Sequence, residues 1–134
     1  RKWKEKTQKM IKGIHHVSMK CSNQEEYEKT IHFYKDILGL QVKRSWNAGI
    51  MLDTGAGLIE IFNDGEEKLD KGVIRHFAFA VDDADQCIDV VRKAGYEVFV
   101  EPKDVVIASM PPLPARVAFC YGPLGEEIEF FVEK

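Results

Sequence analysis

Two histidines and two glutamates in this chain fall where they could hold one divalent metal ion. His16 lies in Ile14-His15-His16-Val17 and His76 in Arg75-His76-Phe77-Ala78. Glu60 lies in Leu58-Ile59-Glu60-Ile61-Phe62 and Glu129 in Glu127-Ile128-Glu129-Phe130-Phe131. All four segments are short and rich in apolar and β-branched residues, as strands are. Strand side chains alternate between faces, so in each segment His16, Glu60, His76 or Glu129 lies opposite an apolar face. Taken singly, a strand histidine usually packs at an edge and a mid-strand glutamate usually meets water. The set changes that expectation. Two neutral imidazoles and two carboxylates compose a nitrogen and oxygen site for a first-row divalent ion. Nickel and zinc both suit it, and cobalt, iron and manganese remain open. A cation would also offset the cost of placing two carboxylates close together away from water.

The elements that must position these residues occur twice. The first strand, near 14–20, leads to a helix that Ser22 or Asn23 can cap and whose apolar stripe is Tyr27, Ile31, Tyr34 and Leu38. Gly39 stops that helix, and three strands follow near 40–45, 49–54 and 57–62. After the polar stretch from Asn63 to Gly72 the order restarts. A strand near 74–81 leads to a helix capped by Asp83, with Cys87, Ile88, Val91 and Ala94 on its apolar face and Gly95 at its end. Strands near 96–101, 115–121 and 126–132 complete the second half. The expected fold is therefore α+β: two βαβββ modules, about 13–65 and 73–134, in one domain spanning 13–134. Neither half has enough core to fold alone, so the two should share one. His16 and His76 lie 60 positions apart but Glu60 and Glu129 lie 69 apart. The extra residues belong most naturally between Asp104 and Pro114, a proline-rich segment suited to a loop that walls or covers a site.

The remaining features narrow the function. With 134 residues, 45% hydrophobic and 31% charged, and a net charge of −3, the chain reads as an ordinary globular domain without a basic field for nucleic acid. Basic residues crowd only into positions 1–12, read as a solvated arm. No apolar run reaches the roughly 20 residues of a membrane span, and no signal peptide is visible. Cys21, Cys87 and Cys120 lack metal-type spacing and suit reduced thiols in a cytoplasmic protein. His15 has the opposite parity from His16, His32 falls on the helix surface, and Asp82, Asp83 and Asp85 mark a helix start. On the strand near 115–121, Val117, Phe119 and Tyr121 are assigned to the core face. That assignment turns Arg116, Ala118 and Cys120 to the cleft, with Arg116 as a binding residue for an anionic substrate group.

These motifs, together with Phe33-Tyr34-Lys35-Asp36-Ile37-Leu38-Gly39-Leu40 and Gly125-Glu126-Glu127-Ile128-Glu129-Phe130, resemble the vicinal oxygen chelate superfamily, and the likeness runs from 14 to about 132. It implies an open eight-stranded barrel-like sheet around a metal cleft, commonly within a homodimer. The His–Glu–His–Glu order is similar to glyoxalase I. That likeness implies an isomerase or lyase that moves a proton next to a carbonyl through a metal-stabilised enediolate, on a small molecule such as the hemithioacetal of methylglyoxal and a thiol. Glu129 is then the first candidate for the base and Glu60 the second. The shortness of the chain resembles bacterial glyoxalases that favour nickel over zinc. Two positions depart from that pattern. Lys20 stands where an arginine commonly binds glutathione, so Lys20 is the expected substrate-binding residue there, and Asp64 replaces an asparagine. Lysine lacks the bidentate fork of arginine, and aspartate would repel carboxylates, so the thiol stays open. The alternatives are an epimerase, a fosfomycin-type thiol transferase, or a drug-sequestering module without the metal ligands.

Overall fold

The computed structural model describes residues 14–68, 72 and 74–134. The basic arm expected at 1–12 lies outside these residues. The first half consists of β1 (His16–Lys20), α1 (Gln24–Ile31) running into a π-helical segment (His32–Ile37), β2 (Gln41–Trp46), β3 (Gly49–Asp53) and β4 (Leu58–Phe62). The second half repeats this order as β5 (Phe77–Ala80), α2 (Ala84–Lys93), β6 (Val98–Ile107), β7 (Leu113–Tyr121) and β8 (Glu127–Glu133). Each half forms a four-stranded mixed sheet, ordered β1-β4-β3-β2 and β5-β8-β7-β6. The expected βαβββ modules and α+β class are therefore present. The two sheets are not joined into one closed barrel.

Both helices start where the side chains predict. Asn23 accepts a hydrogen bond from the Glu26 N–H at 2.8 Å, and the Glu26 carboxylate accepts from the backbone and hydroxyl of Ser22. This is a reciprocal cap. Asp83 does the same for the Gln86 N–H at 3.0 Å. Gly39 and Gly95 take φ of 82° and 92° just past the helices, a left-handed turn that costs glycine little. The π-helical segment departs from the regular helix expected there: the Leu38 N–H reaches back to the Phe33 carbonyl at 2.9 Å. It is the segment that buries Phe33 and Tyr34 completely.

One core serves both halves, as their individual size requires. Phe33, Tyr34, Leu52, Ile59 and Ile61 of the first half join Ile88, Val91, Ala118, Cys120, Ile128 and Phe130 of the second. The Phe33 ring packs edge-on to Tyr96 at 4.7 Å, and the Tyr34 hydroxyl donates to Glu126 at 2.6 Å. The helix-bearing face of each sheet is thereby committed to the shared core, and the opposite faces lie outside it.

The extra residues of the second half do not form the long loop expected from Asp104 to Pro114. They lengthen the β6–β7 hairpin, pairing Asp104–Ile107 with Leu113–Arg116 and leaving only 108–112 as a connection. The prolines fit because β6 is an edge strand with a register shift at Pro102, and Pro114 sits at the start of β7.

The Tyr34–Glu126 contact links the halves and generates two expectations. Burial raises the Glu126 pKa, the Tyr34 and Leu124 donors opposing it only in part. A carboxyl whose folded pKa is raised holds its proton more tightly when folded, so stability falls as pH climbs above the usual glutamate range. Glu126→Gln should flatten that slope in chemical denaturation measured between pH 4 and 8. Tyr34→Phe removes a donor from a partly buried carboxylate and should cost about 1–3 kcal/mol, read as a lower denaturation midpoint.

Candidate metal and substrate site

The repeat places one His–Glu pair on the open face of each sheet. In the first half β1 and β4 run parallel, with Ser18 beside Glu60. His16, two residues earlier on the same face, brings its Nε2 to 3.4 Å from the Glu60 carboxylate. In the second half Ala78 lies beside Glu129. His76, again two residues earlier, brings its Nε2 to 3.3 Å from Glu129. The glutamates are nearly buried, at 8% and 9% exposure, whereas the histidine side chains are about two-fifths open. Burial raises the Glu129 pKa, and the neighbouring His76 lowers it by a smaller amount. His15, expected to take no part, touches the other ring nitrogen of His16, with the two Nδ1 atoms 3.0 Å apart. That contact leaves Nε2 of His16 turned to Glu60.

The four residues therefore gather as two pairs. Among the described residues, no group of three or more His, Cys, Asp or Glu side chains comes together in a way that could hold a metal ion. His16 and His76 do line one groove of about 630 Å³, which runs between the β1 and β5 edges and is otherwise mostly apolar. Each pair offers one imidazole nitrogen and one carboxylate, and two such pairs make a donor set that fits a borderline divalent ion.

Lys20 shares the open face with His16. Its ammonium lies 3.4 Å from Asp64 and 5.5 Å from the Phe62 ring centre. The two positions that depart from the glutathione-binding pattern are thus each other's partners.

Arg116 is not on the open face. On β7, Phe119 pairs with Glu129, so Val117, Phe119 and Tyr121 share the face of the His76–Glu129 pair, and Arg116, Ala118 and Cys120 take the helix side. The Arg116 guanidinium binds Asp85 of α2 at 2.6 and 2.9 Å and Asp104 of β6 at 3.2 Å. The expectation reversed this strand because bulk was taken as the mark of the core. Small Ala118 and Cys120 lie fully buried there, where α2 packs against the strand.

This reversal exposes residues that sequence reasoning missed. Phe119 meets His76 edge-on at 5.3 Å, Phe99 packs on Phe119 at 5.5 Å, and Phe99 stacks on Tyr121 at 4.3 Å. In the first half, Met51 pairs with Glu60 and Arg44 pairs with Met51, which puts Arg44 on the open face. Its guanidinium lies 3.0 Å from the Met51 sulfur, and among the described residues no carboxylate pairs with it. The β7–β8 register was the signal needed for the aromatic residues and the β2–β3–β4 registers for Arg44, and alternation within a single strand supplies neither.

Comparison with known proteins agrees with this architecture. The chain is 28% identical over 135 residues to the uncharacterized protein YwkD of Bacillus subtilis (strain 168), covering 91% of this chain and 98% of that one. The crystal structure of a glyoxalase family protein from Enterococcus faecalis superposes with a TM-score of 0.69 at 24% identity, covering 92% of this chain and 99% of that one. A glyoxalase/bleomycin resistance protein/dioxygenase from Alicyclobacillus acidocaldarius gives 0.65 at 16%, covering 91% and 92%. At these identities the two structures show a common fold. Among the described residues no helix is long and apolar enough to cross a membrane. Residues 13–130 match the family profile, and the chain belongs to the Glyoxalase/Bleomycin resistance protein/Dioxygenase superfamily.

Proposed function

We propose that this protein is a metal-dependent, glyoxalase I-like enzyme that moves a proton between adjacent carbons of a small carbonyl compound, and that its site is completed in a homodimer. The observation that carries the reading is the equivalence of the two His–Glu pairs, each on an open sheet face and, among the described residues, not gathered into one group. In a two-fold dimer, the pair of the first half in one copy can face the pair of the second half in the other. One symmetric interface then makes two sites. The outer edges of β1 and β5, which carry His16 and flank His76 and have no strand partner among the described residues, suit that contact.

His16, Glu60, His76 and Glu129 would hold the ion, with nickel or zinc the first candidates. A divalent cation held there would supply positive charge to stabilise the oxygen that gains electron density as a proton leaves the neighbouring carbon. Glu129 takes that proton and returns it to the neighbouring carbon. Its nearly buried carboxylate lies beside His76 on the open face of the second sheet, where a base next to the ion would stand. Glu60 is the second candidate for that role. Arg44 receives an anionic group of the thiol portion, in place of Arg116, whose guanidinium is committed to Asp85 and Asp104. Lys20 contributes charge next to it.

Purified protein titrated with nickel or zinc should bind one ion per chain. Ala variants of His16, Glu60, His76 and Glu129 should each weaken that binding by more than about 100-fold, beyond the loss typical of outer-shell changes. Full metal occupancy in any one removes that residue from the set. Glu129→Gln should slow deuterium exchange at the substrate carbon by about 10²–10⁴. Arg44→Ala should raise KM for hemithioacetals of anionic thiols and leave kcat nearly unchanged. Arg116→Ala should leave KM unchanged and lower Tm, because its partners are structural. Tight binding of a drug-like aromatic without any bound metal would favour the sequestering alternative instead.

A further inference from the structure

The residues just before the two candidate metal histidines differ, although the halves otherwise match. His15 precedes His16, and Arg75 precedes His76. The His15 Nδ1 lies 3.0 Å from the His16 Nδ1, with ring centres 5.2 Å apart and the rings nearly perpendicular at 84°. Successive side chains within a strand point to opposite faces and do not meet in this way. His15 escapes that rule because it stands just before β1 begins, while its carbonyl still accepts from the Leu58 N–H of β4 at 3.0 Å. The ladder thus fixes the His15 backbone, and its imidazole turns onto that of His16.

A hydrogen bond between two Nδ1 atoms holds one proton, so one ring donates and the other accepts. The remaining nitrogen of His16, Nε2, lies 3.4 Å from the Glu60 carboxylate. In the neutral pair without an ion, His16 carries its proton on Nε2, on the side of Glu60, and its Nδ1 accepts from the Nδ1–H of His15. A ligand nitrogen holds no proton. When Nε2 of His16 takes that role, the proton of the ring must sit on Nδ1, and His15 must accept it. An imidazole serves in both arrangements, whereas a carbonyl or carboxylate only accepts and a guanidinium only donates. Arg75 therefore cannot do for His76 what His15 does for His16.

We propose that His15 is a positioning residue for His16, and that the two imidazoles exchange donor and acceptor roles when Nε2 of His16 takes up the ion. The exchange balances. The proton between the rings passes from Nδ1 of His15 to Nδ1 of His16, and the proton on Nε2 of His16 leaves to water. Nε2 of His15, on an exposed residue, gains one from water. No net proton is gained or lost, and the hydrogen bond that orients His16 is kept in both states. Outer partners of this kind fix the tautomer and direction of a ligand imidazole. The proposal rests on His16 being a metal ligand, and the ion-free arrangement of the pair is read without any metal.

Long-range proton–nitrogen NMR on the full chain at about pH 8.5, above the ordinary histidine range, reports the tautomer of each ring. Without metal, His15 should carry its proton on Nδ1, the position that free imidazole side chains favour less. His16→Ala should return His15 to the ordinary Nε2–H form. Added zinc, which is diamagnetic, should move the His15 proton to Nε2 and the His16 proton to Nδ1. His15→Phe keeps a ring but removes the partner nitrogen, and should weaken zinc binding by about 10–100-fold with cooperative melting retained. His15→Asn, whose side-chain carbonyl can accept, should restore most of that affinity. An Nε2–H tautomer at His15 in the metal-free wild-type protein overturns the proposal, as does zinc bound with the His15 tautomer unchanged. Zinc affinity that is unaffected by His15→Phe, or not regained in His15→Asn, overturns it too. If zinc does not bind, but His15 shows the Nδ1–H form and loses it in His16→Ala, the pair is supported and the metal reading alone falls.

Discussion

A carboxylate that has left most of its water needs a counter-charge or a strong donor, and the arrangement of this protein turns on how that need is met twice. Glu60 and Glu129 are nearly as buried as the core, yet each has a single imidazole for company at 3.3–3.4 Å. No buried side-chain oxygen is left without a partner among the described residues, so what each carboxylate lacks beyond its imidazole is drawn from the open side of its sheet. A divalent ion shared by both pairs would supply it. The sheets can hold the glutamates in place because their other faces are locked into the common core through Phe33, Tyr34, Ile128 and Phe130.

That division of faces also explains the connection between the halves. Their helix sides are spent on one another, so the open faces cannot also close on each other within the chain. Stability and the proposed site consequently use opposite sides of the same strands. Neighbouring positions on β7 illustrate the point: Ala118 and Cys120 are fully buried under α2, while Phe119 turns outward to His76. A change at an odd or an even position of that strand should therefore have different consequences, one for folding and one for ligand.

Much of this was legible in residue types and spacing. The caps at Asn23 and Asp83 and the stops at Gly39 and Gly95 are local chemistry, and they lie where the side chains predict. The choice of His16, Glu60, His76 and Glu129 as a set came from the duplication, which doubles a signal that is weak in one copy. The expectation was one cluster of four, however, and the structure brings them together as two pairs. Three things were not legible. The face of β7 was misread, since alternation says which residues share a side but not which side is inside. The extension of the β6–β7 hairpin was taken for a loop on the strength of its prolines, although an edge strand tolerates them. The separation of the four candidate residues into two pairs depends on how two sheets dock, a long-range property that no local pattern carries.

Chain mixing tests the shared-site claim most directly. His16→Ala chains and His76→Ala chains, each metal-free alone, are unfolded together, refolded as an equal mixture and assayed for bound nickel. If each site takes one half from each copy, mixed dimers regain one intact site of their two, and occupancy should recover to about a quarter of wild type by statistical pairing. A mixture that holds no more metal than the separate variants would contradict the account.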